Sequence, residues 1–168
     1  FTGDGRDDLA RFTRGATGDV YVSRAMVQNG TNFVVLFSGG VNAANNHDRY
    51  YNNIRDMYLT IVSECNVRPE NIIILHADGT NGAVDRSTGV NSDMSYATIR
   101  GTQVLSASRE NLLSTLDLMQ EKVDSHDHFF FYSFDHGGGD TNKPMSTGEE
   151  VLCGWGENIR DDELAPEL

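Results

Sequence analysis

Three short apolar runs, each closed by small or polar residues, set the rhythm of the chain. Phe33–Phe37 runs into Ser38-Gly39-Gly40, Ile72–Leu75 into His76-Ala77-Asp78-Gly79, and Phe129–Phe134 into Asp135-His136-Gly137-Gly138-Gly139. Runs of β-branched and aromatic residues without clean alternation predict strands buried on both faces, the last over 128–134. Between the first two, the spacing predicts a helix from about Asp48 to Asn66. Tyr50, Ile54, Met57, Tyr58, Ile61, Val62 and Cys65 fall on one face of it, and Asn46 or Asp48 caps its start. Val67–Asn71 reads as a turn. A second helix, about 109–123, is capped by Ser108 and turns Leu112, Leu116, Met119 and Val123 to one side. Val151–Trp155 reads as a short strand or hairpin, and Asp161-Asp162-Glu163 opens a further helix with acids at its favourable end. Residues 79–97 show no period and read as one long loop, functional or merely inserted. Alternating buried strands and amphipathic helices give an α/β fold, a mostly parallel sheet flanked by helices with right-handed crossovers.

That order gives the strand ends their meaning. In open α/β sheets, ligands bind beyond the carboxyl ends of the strands. His136 stands at such an end, and three glycines behind it let a backbone or ligand approach closely. A histidine that only caps a strand is the bland alternative. If the strands are parallel, the polar loop Val41–Arg49 leaves the same edge of the sheet. His76, Asp78, Asp135 and Asp140 also lie at strand ends, which leaves a metal-dependent hydrolase open. No dinucleotide fingerprint and no phosphate loop is present.

Composition narrows the partners. The 168 residues suit one domain with a small appendage, and the net charge of −12 argues against nucleic acid and anionic membrane as partners. No apolar run reaches the length of a membrane span. The two cysteines, Cys65 and Cys153, make neither a disulfide framework nor a zinc spacing, and Cys65 reads as core. Phe1 is not a natural start, so an upstream segment is expected. Residues 1–9 alternate oxygen-bearing side chains around a central glycine and end in acids, as a hard cation requires. Thr2, Asp4 and Asp8 offer side-chain oxygens and Arg6 a carbonyl. With Leu9–Thr13, a turn at 15–19 and Val20–Val22, this stretch resembles the calcium loop and β-hairpin of an FG-GAP (VCBS-type) repeat. The resemblance implies that residues 1–27 end such a repeat, that 28–32 link it to the rest, and that calcium is a structural ion. It also implies that the parent protein is extracellular or cell-surface.

Residues 33–168 resemble the caspase/legumain-like cysteine peptidases, nearer the legumain side. The resemblance rests on Phe33–Gly40, on Asn46–Ile54, on Val67–Gly79, on Phe129–Gly139 with its His-Gly, and on the hairpin and helix start of Leu152–Leu168. It implies a three-layer caspase-like fold that is incomplete at its C-terminus. His136 would be the catalytic histidine and Gly137 would lend its N–H to the oxyanion. Arg49 would read an Asp or Asn before the scissile bond, and His47 or Asn46 would orient His136 or line the substrate site. The family nucleophile ends a fourth strand roughly 50 residues after the histidine, by the caspase spacing. It is therefore expected beyond Leu168, and Cys153, too close behind His136, is expected to be structural.

The reading that results is a cysteine endopeptidase that hydrolyses peptide bonds after Asp or Asn and needs no cofactor for catalysis. Its partners are a peptide or protein substrate and the missing C-terminal part of its own domain, and residues 1–168 alone would be inactive. A catalytically dead binding module of a calcium-stabilised surface protein is the alternative.

Overall fold

The computed structural model describes residues 30–139 and 150–164. Elements in chain order are β1 (Asn32–Ser38), α1 (Asp48–Ser63), β2 (Ile72–His76), α2 (Ser95–Thr98), β3 (Gln103–Leu105), α3 (Arg109–Lys122), β4 (His128–Ser133), β5 (Gly137–Gly139), β6 (Glu150–Cys153), β7 (Asn158–Arg160) and α4 (Asp161–Leu164). The main sheet has four strands in the order β3-β2-β1-β4, all parallel. The smaller sheet, β5-β6-β7, is antiparallel.

The two-residue period of the strands sorts their side chains into two cores. Val34, Leu36, Ile72 and Ile74 pack on α1 through Tyr51, Ile54, Met57, Tyr58 and Ile61. Val35, Phe37, Ile73 and Leu75 face the other way, onto Leu112, Leu116 and Met119 of α3, with Ile159 and Leu164 beyond. This gives three layers, helix on sheet on helix, and explains why the central strands lack polar positions: both faces are covered. Tyr58 reconciles full burial with a polar tip, because its hydroxyl meets Thr102 Oγ1 at 2.9 Å. No helix among the described residues is long and apolar enough to cross a membrane.

The α/β class, the parallel sheet, both long helices, the Ser108 cap on the Asn111 amide and the late hairpin match the sequence reading. Several details differ. β4 is half-buried along its whole length rather than buried on both faces, because it is the outer strand of the described sheet. Residues 79–97 are not all loop: α2 forms at 95–98, and the chain then adds β3 to the free edge of β2. Three residues carry no readable period, so β3 exists because a strand edge was available. The glycine run is itself a strand, paired with β6. Neither proposed cap closes α1. His47 is the cap residue and makes no side-chain cap bond. Asn46 instead donates to the Asp85 carbonyl at 2.8 Å, and Asp48 accepts from Arg86 and Thr88. The hairpin, linker residues 28 and 29, and the calcium-loop residues Thr2, Asp4, Arg6 and Asp8 lie outside the described residues, as does Asp140.

Candidate active site

Because β1 and β4 are parallel neighbours, their carboxyl ends open onto the same edge. The register Phe37↔Ser133 places Ser38-Gly39-Gly40 beside Phe134-Asp135-His136. Asp135 ties the two ends together. Its carboxylate accepts the Gly40 amide, the His136 amide at 2.6 Å and, at the limit of hydrogen bonding, the Ser38 hydroxyl at 3.5 Å. Burial raises the Asp135 carboxyl above its ordinary value, and the amide donors oppose that rise by favouring the ionised form.

His136 follows directly on this anchored aspartate. Its Nε2 lies 3.1 Å from the backbone carbonyl of Asn45, on the loop between β1 and α1. A carbonyl only accepts, so Nε2 carries the proton and the neutral ring leaves Nδ1 as its basic nitrogen. Two aromatic contacts flank the ring, and one of them is itself packed from behind. Tyr50 stands 5.0 Å away edge-on, His47 stands 5.6 Å away, and Tyr50 also meets Phe134 at 5.9 Å. Arg49 is exposed; its guanidinium lies 4.8 Å over the Tyr50 ring and donates to the Tyr50 hydroxyl at 2.8 Å. No carboxylate pairs with Arg49 among the described residues. His136, His47, Arg49 and Tyr50 thus form one continuous group. Asn46 does not join it: that side chain is fully buried and turned to Asp85. The neighbour that holds His136 is Asn45, through a main-chain atom.

The β6–β7 hairpin docks on the loop that leaves β1. The Gly156 amide donates to the Val41 carbonyl at 2.7 Å, and Val41 bridges to Trp155. Val41 is β-branched yet has φ 64°, a left-handed conformation that costs about 1–3 kcal/mol and is held by this docking. Gly39 is needed for contact rather than for φ: a Cβ there would run into the Cys153 carbonyl and the Gly154 backbone. Gly39→Ala should therefore cost about 1–3 kcal/mol by overpacking two backbones. Hydrogen exchange at β6 and β7 should rise with it. Unchanged stability by urea denaturation, with unchanged exchange, would show that the hairpin does not rest on Gly39.

Cys153 sits in this packed seam. Its thiol is pushed up by burial and by the nearby Asp135 charge, the opposite of what activates a nucleophile. Gly137 is different from Gly39. A Cβ on Gly137 would meet nothing within 4 Å, and its φ is not positive, so neither packing nor backbone conformation calls for a glycine.

His76 lies at the end of β2, fully buried, with Nε2 3.2 Å from the Ser92 hydroxyl. Its Nδ1 makes no full hydrogen bond, although the Ser38 backbone is close enough to favour the charged form a little. Burial, seconded by Arg86, pushes its pKa down to about 4, so the ring is neutral at pH 7. Among the described residues no group of three or more His, Cys, Asp and Glu is placed to hold a metal ion.

Sequence reading singled out His136, Gly137, Arg49 and His47, and missed three partners. Tyr50 was assigned to the core by its spacing, and it is buried, but its ring also walls the site. Asn45 acts through a carbonyl, which no side-chain pattern can reveal. Asp135, weighed only as a metal ligand, is a brace; its position directly before His136 was the available signal. No protein-family model and no curated protein sequence matches the chain.

Proposed function

We propose that residues 33–168 are the histidine-bearing part of a cysteine endopeptidase that cuts after Asp or Asn, with the nucleophilic cysteine supplied from beyond residue 168. The observation that carries this reading is the setting of His136. It stands at the carboxyl edge of a parallel sheet, with Nε2–H held by the Asn45 carbonyl and Nδ1 left to take a proton. Nδ1 would accept the thiol proton as the thiolate attacks the peptide carbonyl. It would then return that proton to the leaving amine, and water would release the acyl group. The raised thiol of buried Cys153 favours a nucleophile elsewhere. Arg49, exposed and without a carboxylate partner among the described residues, suits an acidic or amide side chain in the substrate. The bare surface at Gly137 suits close approach of a substrate carbonyl to the backbone. Residues 1–27 would be the end of a calcium-binding repeat in an extracellular or cell-surface parent.

The test is an assay of the chain extended by the segment that follows it in its parent, on peptides with Asp, Asn, Lys or Leu before the scissile bond. Cleavage after Asp or Asn is expected. Gly137→Ala keeps the amide donor but sets a methyl group where the substrate carbonyl approaches, so it should leave the unfolding midpoint unchanged and lower kcat/KM. Absence of cleavage on every peptide, with no cysteine ending a following strand, would replace this reading with that of a binding module.

A further inference from the structure

The loop between β2 and α2 buries a set of oxygen atoms and leaves them without partners. Asp85 is 0 % exposed. Its Oδ1 accepts the Ser92 amide at 2.7 Å, while its Oδ2 is buried with no donor. Asp78 Oδ1 and Asn91 Oδ1 are buried without donors as well. The orientation of Asn91 is settled by its Nδ2, which donates to the Asn81 carbonyl at 3.0 Å, so the atom left over is an acceptor. These bonds close the loop on itself, joining 91 to 81 and 92 to 85, and the Asn46 amide fastens Asp85 from the α1 side. Burial, and after it the Asp85 charge, raise the Asp78 carboxyl above its ordinary value.

Among the described residues no basic side chain pairs with Asp78 or Asp85. Arg86, next in the chain, makes no ion pair with either, and its Nε is buried without an acceptor. It reaches Asp48 at 3.2 Å and the Asn91 carbonyl at 3.0 Å, and lies 4.6 Å over the Tyr51 ring. An unpaired buried carboxylate costs several kcal/mol, and a second one nearby adds to it. A bound cation removes both costs. The unpartnered atoms are carboxylate and amide oxygens, hard donors that suit calcium rather than a thiolate- or imidazole-seeking metal.

We propose that Asp78 Oδ1, Asp85 Oδ2 and Asn91 Oδ1 hold a calcium ion, with water or main-chain oxygens completing its shell. The ion fastens the β2–α2 loop, whose Ser87 and Thr88 reach His47 and Asp48 at 3.4 and 2.9 Å, over the start of α1. Calcium would thereby set the wall next to His136, and the site stands whether or not the domain is a peptidase.

The experiment uses the full chain with Asp4→Asn and Asp8→Asn, so that the N-terminal candidate loop is silenced. Calcium at about millimolar concentration should raise the melting temperature by several degrees, and titration calorimetry should count one ion per chain. Asp78→Asn should weaken the calorimetric affinity about ten-fold or more, and Asp85→Asn should abolish the response. Should Asp85→Asn fail to fold, the partly exposed Asp78 decides the matter. No calcium response in the silenced chain, or a response that Asp78→Asn leaves intact, overturns the proposal. An equal shift with magnesium overturns calcium as the ion.

Discussion

His136→Ala, made in the chain extended by the segment proposed to carry the nucleophile, should lower kcat/KM about 10³-fold or more while moving the melting temperature by no more than a few degrees. The two halves of this expectation have separate grounds. A positioned general acid–base is worth about 10²–10⁴-fold by itself, and in the proposed peptidase the same ring would also generate the thiolate. The ring is only partly buried, and its one hydrogen bond among the described residues goes to the carbonyl of the exposed residue Asn45, which water can satisfy after truncation. The anchoring of the strand end belongs instead to Asp135, which binds main-chain amides just past the ends of both β1 and β4. Steady-state kinetics and calorimetry on the same samples check both halves. A variant that keeps more than about a tenth of the activity would remove His136 from the reaction.

The second large effect is acid sensitivity, and it resides in His76. Its pKa is pushed down to about 4 in the folded protein, first by burial and then by Arg86, against an ordinary value of 6.5. A depressed folded pKa means that the neutral ring is favoured on folding. The contribution is therefore fully present above pH 6.5 and is lost as pH falls through about 4. The loss across that window is on the order of 3 kcal/mol, since each tenfold change in proton affinity is worth about 1.4 kcal/mol. Asp78 and Asp135, whose carboxyls are raised, act with the opposite sign: their contributions are present at low pH and fade as pH rises through the raised values. The clean readout is therefore a comparison. His76→Asn lowers stability at pH 7 by losing packing and the Ser92 contact, yet its urea midpoint should fall less steeply between pH 6.5 and 4 than that of the parent. Parallel slopes would mean that the histidine is charged in the fold or titrates with water access.

Both effects arise at strand ends, and the sequence was unevenly informative there. The strands β1 and β2 stand out because faces covered on both sides require unbroken apolar runs, and β4 stands out by an equally apolar run although it is only half-buried. Helices α1 and α3 stand out because one buried stripe repeats at helical spacing, and α1 buries Tyr50, Ile54, Met57, Tyr58 and Ile61 as that spacing requires. Ser108 caps α3 through a bond three residues away, which is local enough to read. The start of α1 was misread for the converse reason. Asn46 and Asp48 are both good caps, and each was drawn off by the 85–88 segment, about 40 residues further along.

The amino-acid sequence by itself determined the α/β class, the parallel sheet, the two amphipathic helices and the place of His136 at a strand end. These follow from periodicity and from short-range capping, which depend on neighbours within a few residues. Only the tertiary structure decided which atoms surround that histidine. The Asn45 carbonyl is 91 residues from His136 in the chain, and the Gly40 amide is 95 from Asp135. Their meeting depends on the register of β1 on β4, and the docking of the hairpin on Val41 adds a contact no local pattern encodes. The same holds for the buried oxygens of the β2–α2 loop. An aspartate in a polar loop reads as solvated, and only the folding of that loop onto α1 removes Asp85 from water and leaves its charge to be answered.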